Sequence, residues 1–486
     1  MSRVAKSVGV EARGLRVVYS RWLFIMSIVV TACTGAGDPG PAPVATVATP
    51  APTTGAEETP TTNAAPNPPT TAIAGAPSTT RVPEPTPAQP AGCPDPGQPL
   101  DPLGPSAQTV VLEFADDGTP RVEAVVYPHP SYEGNPWSQW GQGVVLDDGR
   151  FLSAIGDHRG SDGNSFLYQF DPATGNLTQV TDVLSLVDHT PGAWGYGKIH
   201  AQMVPGLCGE VFLTTYWGSR RGLTYAGTYS GDWLLRWDPS THSITPLDVP
   251  AQSHGVPSLA GWSTGGVLYG EAVDPSQDGN HGLFFVYDLG KGEVVLDDAN
   301  SSHTGFRSIL VDAAGRAYYS AGDSRLHVYD PSTGEIQTHP ETLPGKWLRA
   351  ATRPAANGTV YGVTRNPDTL FALETDGTIR GLGPAGGYAA SLALSPDDTT
   401  LYYVPGAHGN SWEMGTPVIA VDVATGKKTT LVELNELAED QLDLRLGGTY
   451  NIAVDPSGQY LFIGFNGGRA GEESFGEVVL IVVHLR

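Results

Sequence analysis

One pattern recurs seven times along this sequence and restricts the folds that it can adopt. Each copy has two or three apolar or aromatic residues, an acidic residue, a turn and a polar strand-like run. In the typical turn, Asp-Pro-x-Thr-Gly, Asp caps the chain reversal and Gly supplies a positive φ, which predicts a β-hairpin. The positions that mark the copies are Asp171, Asp238, Asp288, Asp330, Glu374, Asp422 and, in a truncated last copy, His484.

Further strand-like runs precede each copy, for example residues 306–315 and 316–322 before Asp330. Four short strands per copy predict an all-β fold, a seven-bladed β-propeller of four-stranded blades spanning residues 105–486. Six or eight blades remain alternatives. Helix-forming sequence is nearly absent, and the one short helix that we expect covers residues 434–444.

The two ends of the repeat region predict how the ring closes. The last copy ends at Arg486, one outer strand short of a complete blade. A strand-like run at 109–118 has no partner within its own copy. Pairing this run with the C-terminal blade would complete the blade and remove the open sheet edges.

The N-terminus has the features of a targeting signal. Residues 1–21 hold five basic residues against one acid, and residues 22–30 form an apolar run too short to span a bilayer comfortably. The run leads into Val30-Thr31-Ala32-Cys33, which resembles the lipobox of bacterial lipoproteins. The resemblance implies a signal peptide over 1–32 and a lipidated Cys33 that anchors the protein to the extracytoplasmic face of the cell membrane. A plain signal peptide or a signal anchor is the alternative.

A linker follows the predicted anchor. Residues 33–104 are rich in Pro, Thr and Ala, and the stretch 34–100 alone holds 17 of the 41 prolines of the chain. Such a composition cannot bury enough apolar surface to offset chain entropy, so we expect a disordered tether. In an oxidising compartment Cys93 and Cys208 could form a disulfide between the tether and the propeller, with two free thiols as the alternative.

Composition excludes several classes of function. The chain has 27 Lys and Arg against 51 Asp and Glu, a formal net charge of −24, which argues against nucleic acid as a partner. Its three cysteines cannot form a disulfide framework or a four-thiolate zinc site. We expect a monomer whose partners are the membrane, through the lipid anchor, and an anionic glycan or an envelope protein.

The candidate ligand site follows from general propeller geometry. Loops that lead into the innermost strands gather on one face of the ring, which is usually the ligand face. Cations and aromatic side chains at these positions in an acidic chain favour an anionic, carbohydrate-like ligand. Interblade hydrogen bonding is the alternative role for them. The predicted ligand-binding residues are Trp140, Lys198, His254, His303, Trp347, Tyr388 and Tyr450.

Whether the protein is an enzyme is left open by the sequence. The turn chemistry resembles that of quinoprotein and YVTN-like propellers, but the sequence lacks a complete set of cofactor-docking features, so no cofactor is expected. The chain also resembles propeller polysaccharide lyases, such as ulvan and oligogalacturonate lyases, in architecture and residue types. That resemblance implies an alternative function in uronate β-elimination, with His200 as base, Tyr216 as acid and Arg307 or Arg349 neutralising the carboxylate.

Two other possibilities complete the set of hypotheses. No metal site is predicted, although three of the four histidines His200, His254, His303 and His408 could bind a divalent metal instead. No closely spaced His pair supports that reading. A purely structural propeller, whose broad face docks other envelope proteins, is the third functional hypothesis.

Overall fold

The structure is a computed structural model, and it describes residues 104–113, 120–218, 229–238, 241, 243–274, 282–298, 309–320, 323–469 and 475–485. The predicted signal peptide, Cys33, Cys93 and the tether up to residue 103 lie outside the described residues, and their assignments stay predictions. Within the described ranges, no helix has the length and apolar character needed to cross a membrane.

Short strands make up nearly all of the regular structure. In the described ranges a single α-helix, α1, covers Asn435–Leu442, where the sequence predicts one, and single-turn 3-10 helices cover Ser263–Gly265 and Ser411–Met414. The strands, in chain order, are β1 (Ser106–Gln108), β2 (Val110–Leu112), β3 (Val122–Val126), β4 (Val144–Val145), β5 (Phe151–Gly156), β6 (Ser165–Asp171), β7 (Asn176–Asp182), β8 (Val204–Pro205), β9 (Val211–Thr214), β10 (Leu234–Asp238), β11 (Ser243–Asp248), β12 (Gly255–Trp262), β13 (Val267–Val273), β14 (Gly282–Asp288), β15 (Glu293–Asp298), β16 (Leu310–Val311), β17 (Ala317–Ser320), β18 (Leu326–Asp330), β19 (Glu335–Thr338), β20 (Trp347–Ala351), β21 (Val360–Arg365), β22 (Thr369–Leu373), β23 (Ile379–Pro384), β24 (Ala393–Leu394), β25 (Thr400–Tyr403), β26 (Pro417–Asp422), β27 (Lys428–Glu433), β28 (Arg445–Val454), β29 (Tyr460–Gly468) and β30 (Glu477–His484).

These strands form seven antiparallel sheets, which confirms the predicted seven-bladed β-propeller. Blades 1 to 6 are built from β4–β7, β8–β11, β12–β15, β16–β19, β20–β23 and β24–β27, and blade 7 from β28, β29, β30 and β3. In each blade the first strand lies innermost and lines the central channel. Strands β1 and β2 are fifth, outermost strands of blades 1 and 7.

The repeat marks the same place in every blade, namely the end of the third strand. Asp171, Asp238, Asp288, Asp330, Asp422 and His484 are the last residues of their strands, and Glu374 directly follows β22. In the hairpin after Asp171, the Gly175 amide donates to the Asp171 carbonyl at 2.8 Å, and Gly175 has φ +70°. Gly334, after Asp330, adopts the same conformation, with φ +73°. The predicted turn chemistry is therefore present.

Ring closure uses a different strand from the predicted one. The strand that pairs with β30 is β3 (Val122–Val126), and residues 110–112 of the predicted 109–118 run join the same sheet as its outer strand, β2. The reason is burial. Val122 and Val125 are at most 2% exposed between two neighbouring sheets, whereas Val110 is 51% exposed. Strand β1 pairs with β7 at the outer edge of blade 1, and β2 pairs with β3 at the outer edge of blade 7. The chain therefore crosses the seam between the first and last blades as it passes from β1 to β2.

Apolar contacts between adjacent blades form the core. Each of the seven interfaces between neighbouring blades holds its own cluster of buried side chains. At the closing seam, Phe462 of blade 7 stacks on Phe151 of blade 1 with ring centroids 5.0 Å apart. Polar contacts reinforce this seam. The backbone N–H of Gln139 donates to Asn466 Oδ1 at 2.7 Å, and Asn466 Nδ2 donates to the backbone carbonyl of Gln139 at 2.8 Å.

One glycine allows two blades to approach closely above the channel. Gly156, the last residue of β5, faces the backbone of Gly197 and Lys198 in blade 2. A Cβ at position 156 would overlap the Gly197 carbonyl oxygen and lie 2.8 Å from Lys198 Cα. The close approach lets the His158 amide donate to the Gly197 carbonyl at 3.0 Å, which joins the two blades where Lys198 is presented.

We therefore expect Gly156→Ala to lower the free energy of unfolding by about 1–3 kcal/mol, because backbone atoms must move to admit the methyl group. Gly381→Ala is the matched control, since nothing lies within 4 Å of a Cβ there and no left-handed φ is required. Urea unfolding followed by tryptophan fluorescence measures both variants. Equal stability of the two would contradict the close packing described at Gly156.

Candidate functional site

The candidate site lies at one end of the channel, which we call the top face: the end at which the innermost strand of each blade begins. Because strands within a blade are antiparallel, the loop between the second and third strands returns to this end. His158, Tyr216, His408 and Phe475 come from loops of this second kind, in blades 1, 2, 6 and 7. Side chains distant in sequence therefore converge here.

Trp140 is the centre of the cluster on the top face. Its ring stacks on Tyr450 at 4.8 Å and 19°, and lies nearly parallel to Phe475 at 5.8 Å and 3°. His200 lies parallel to it at 6.3 Å. Its indole Nε1 donates to Ser138 Oγ at 2.8 Å. With 7% of its surface exposed, Trp140 is the packing centre that positions its neighbours and not an open stacking platform.

A lysine is held against this aromatic core. Lys198 Nζ lies 4.0 Å from the centroid of the Trp140 ring and 5.7 Å from that of Tyr216. The Lys198 amide and the Tyr216 carbonyl join in an isolated β-bridge, with N···O 3.1 Å. Since Lys198 is only 6% exposed, its charge lies in a weakly solvated position, where contact with an aromatic face stabilises it most.

The predicted base and acid of the lyase hypothesis lie side by side. The ring centroids of His200 and Tyr216 are 4.8 Å apart. His200 Nδ1 is 3.1 Å from the Pro257 carbonyl oxygen, so Nδ1 carries the proton of the neutral ring and Nε2 is the basic nitrogen. Both side chains are buried, at 5% and 4% exposed.

A second group of cations surrounds Tyr388. Arg365 Cζ lies 4.0 Å and Arg349 Cζ 4.9 Å from the centroid of this ring. Tyr388 also belongs to the same buried cluster as Trp140 and Tyr450. His408 connects the two groups, with its Nδ1 2.6 Å from Tyr450 Oη and its ring 6.2 Å from that of Tyr388.

Two further residues belong to the cluster, His158 and Arg365. His158 has φ +52° and is 1% exposed, and its ring lies 5.8 Å from that of Trp140. Burial, helped by the nearby Lys198 charge, holds the pKa of His158 well below its usual range, so the ring is neutral. Arg365, which is not among the predicted site residues, ends the second strand of its blade and so lies outside the loops that lead into inner strands.

Some predicted residues lie elsewhere. Trp347 is buried, with Lys346 Nζ 4.4 Å from its ring centroid. His254 is half-buried, and its Nδ1 lies 2.7 Å from the Gln252 carbonyl oxygen. Neither of these contacts involves Trp140 or Tyr388. His303 and Arg307 lie outside the described residues.

Cys208 is the one cysteine among the described residues. It is disulfide-bonded and lies in the β8–β9 turn. Its predicted partner, Cys93, lies outside the described residues, so this pairing stays a prediction.

A buried carboxyl lies beneath the top face. Asp232 is fully buried and accepts hydrogen bonds from the Val256 amide at 2.5 Å, from Thr215 Oγ1 at 3.0 Å and from Tyr229 Oη. Burial raises the pKa of Asp232 to about 8 despite these donors. The group is therefore largely protonated at neutral pH, and it connects blade 2 to blade 3 as a neutral acid.

Two concavities flank the ring. One, of about 700 Å³, opens at the bottom of the channel and is lined by all seven inner strands. Its charged groups are engaged within the protein: Arg353 pairs with Asp398 at 2.7 Å and Asp312 with Arg316 at 2.6 Å. The other, also about 700 Å³, lies on the top face and includes Phe475, which stacks on Trp140. The second concavity therefore meets the aromatic cluster at Phe475, and we place the candidate site at this end of the ring.

The donor set is poor in metal ligands. No group of three or more His, Cys, Asp or Glu side chains in the described ranges is placed to hold a metal ion. The chemistry available from the described side chains is that of cations, neutral imidazoles and phenols.

Comparison with known proteins identifies no family. No protein-family model and no curated protein matches the sequence. Solved propeller structures are similar over most of their length. The RRP9 WD40 repeats share 12% identity with a TM-score of 0.49, and 78% of this chain and 100% of that chain are covered. U3-55K shares 12% identity with a TM-score of 0.48, and 74% of this chain and 98% of that chain are covered. Virginiamycin B lyase from Staphylococcus aureus shares 10% identity with a TM-score of 0.46, and 74% of this chain and 99% of that chain are covered. We draw no functional conclusion from likeness at this level.

The shifted pKa of Asp232 predicts a pH dependence of stability. The folded state keeps the Asp232 proton up to about pH 8, whereas the unfolded chain releases it near the usual aspartate pKa of 3.8. Between these pH values the folded state binds the extra proton, so rising pH lowers the free energy of unfolding by up to about 1.4 kcal/mol per pH unit.

Asp232→Asn should remove this contribution, because the side-chain amide does not titrate in this pH range. Urea unfolding at several pH values between 5 and 8 should show the variant gaining stability relative to the wild type as pH rises. Asp188→Asn, at an exposed position, serves as the control and should follow the wild type. Parallel profiles for Asp232→Asn and the wild type would contradict a protonated Asp232.

Proposed function

We propose that this protein is a recognition module that binds a carboxylate-bearing carbohydrate at the top face of its propeller. One observation carries the proposal: Lys198, Arg349 and Arg365, from blades 2 and 5, all lie against aromatic rings at the same end of the channel. The chain as a whole has a net charge of −24, so a concentration of cations at one place is not explained by composition.

The geometry suits an anionic ligand for two reasons. A guanidinium can bind a carboxylate with two parallel hydrogen bonds, and its planar face can pack on an aromatic ring. Burial and stacking hold these side chains in fixed positions before a ligand arrives, which reduces the entropy lost on binding. The adjoining concavity, with Tyr132 and Phe475 in its lining, offers a surface for the sugar rings.

A membrane-anchored, extracytoplasmic location is part of the proposal. The Val30-Thr31-Ala32-Cys33 motif and the Pro-rich segment after it support a lipid anchor and a tether. The disulfide at Cys208 adds support, since disulfides persist in oxidising compartments outside the cytoplasm. The propeller would then meet its ligand in the envelope or at the cell surface.

Uronate β-elimination is the second candidate function. The contact between His200 and Tyr216 favours it, because a base and an acid side by side are what proton abstraction and leaving-group protonation require. Arg349 lies in the Tyr388 group and would neutralise the carboxylate. In this case, ultraviolet absorbance of unsaturated uronate would rise during incubation with polyuronate, and His200→Ala would abolish the rise.

The binding proposal is tested by calorimetry with the full-length protein in detergent and oligogalacturonate as the probe. Lys198→Ala should raise Kd by about 10–100-fold, because it removes a charge-assisted contact, and added salt should weaken wild-type binding. Lys291→Ala is the matched control, since Lys291 pairs with Asp288 in the exposed β14–β15 turn. Absence of wild-type binding to this and other anionic glycans would favour a scaffold that docks proteins.

The anchor is tested by Cys33→Ser. Without the thiol no acyl chain can be attached, so most of the protein should move from the membrane fraction to the soluble fraction. Cys208→Ser is the control, and it should stay with the membrane. Retention of Cys33→Ser in the membrane fraction would overturn the lipid-anchor proposal.

A further inference from the structure

Tyr388 is the most unusual group of the top face. Its ring contacts two guanidinium groups, with Arg365 Cζ at 4.0 Å and Arg349 Cζ at 4.9 Å from the centroid. The residue is 9% exposed, and its hydroxyl is buried without a hydrogen-bond partner among the described residues. Most buried hydroxyls in proteins are hydrogen-bonded, so this one is an exception that needs an explanation.

The arrangement is unfavourable in the absence of a ligand. A phenol hydroxyl that leaves water without gaining a partner lowers the stability of the folded state. Arg349 is itself 6% exposed, and like Arg365 it lies against the Tyr388 ring. An oxyanion placed at this ring would accept a hydrogen bond from Tyr388 Oη and be attracted by the two guanidinium groups.

We infer that Tyr388, Arg349 and Arg365 form an oxyanion subsite that receives the acidic substituent of the glycan. The inference rests on the proposed function and refines it, because it assigns recognition of the acidic group to blades 5 and 6. Lys198 on Trp140 then contacts a different part of the ligand. A carboxylate fits best, since its two oxygens match the paired N–H donors of a guanidinium. A sulfate ester offers the same acceptor chemistry.

The subsite predicts opposite effects of one substitution on binding and on stability. Tyr388→Phe keeps the ring beneath both arginines and removes only the hydroxyl. The Kd for oligogalacturonate should rise about 5–20-fold, the usual range for one hydrogen bond to a charged group. Meanwhile Tm should rise by about 1–3 °C, because the unpartnered hydroxyl is gone. Loss of binding together with a lower Tm would show a structural hydroxyl and overturn the inference.

Ligand variants and arginine variants sharpen the test. Carboxyl-reduced oligogalacturonate, which is neutral, should bind the wild type and Tyr388→Phe with the same Kd, and a sulfated oligosaccharide shows whether the subsite also takes sulfate. Arg365→Ala should raise the Kd for the charged oligogalacturonate at least tenfold, and Arg365→Lys should restore only part of the affinity. Arg325→Ala, at an exposed arginine paired with Asp323, is the control and should bind as the wild type does.

A separate readout distinguishes failure of the subsite from failure of the proposed function. Inorganic sulfate in the millimolar range should raise the Tm of the wild type but not that of Arg365→Ala. If no glycan binds but this difference in Tm is found, the carbohydrate proposal fails and the oxyanion subsite stands. If oligogalacturonate binds the wild type, Tyr388→Phe and Arg365→Ala equally, the recognition proposal stands and the subsite is overturned.

Discussion

The packing of each blade against its two neighbours is the constraint on which the rest of this structure depends. The second and third strands of each blade are largely buried on both faces, and every interface holds its own apolar cluster. Such a ring is stable only when it is closed, because an open seam would expose two apolar sheet faces. Strand β3 closes the ring by completing blade 7, and the stacked rings of Phe151 and Phe462 hold the seam together.

Closure also determines where chemistry can occur. It brings Trp140 of blade 1 against Tyr450 and Phe475 of blade 7, while the close approach at Gly156 brings Lys198 of blade 2 to the same ring. Buried cations normally lower stability unless they are compensated. Aromatic faces supply part of that compensation here, and the proposed anionic ligand would interact with the same cations. The Tyr388 hydroxyl, which has no hydrogen-bond partner among the described residues, is then the feature that disfavours the unliganded fold and favours binding.

Sequence patterns predicted the parts of the molecule that depend on local interactions. The Asp-Gly hairpins, the seven blades and helix α1 were correct because turn chemistry and strand length are properties of short segments. The closing strand was misassigned, since choosing between residues 109–118 and Val122–Val126 requires knowing which run is buried between two sheets. Trp140, Lys198, Tyr388 and Tyr450 do meet on the top face, but the stacking that occupies the Trp140 ring was not predictable.

By itself the sequence determined the propeller fold, the negative net charge and the residue types available at the top face, because repeats and composition are independent of distant contacts. Only the tertiary structure decided which of these side chains meet. Arg365 and His158 belong to the cluster around Trp140 and Tyr388, whereas the Lys346–Trp347 and His254–Gln252 contacts involve neither ring. The physical reason is that seven loops of different length converge around one axis, so small differences in approach between blades, such as that allowed by Gly156, select the partners.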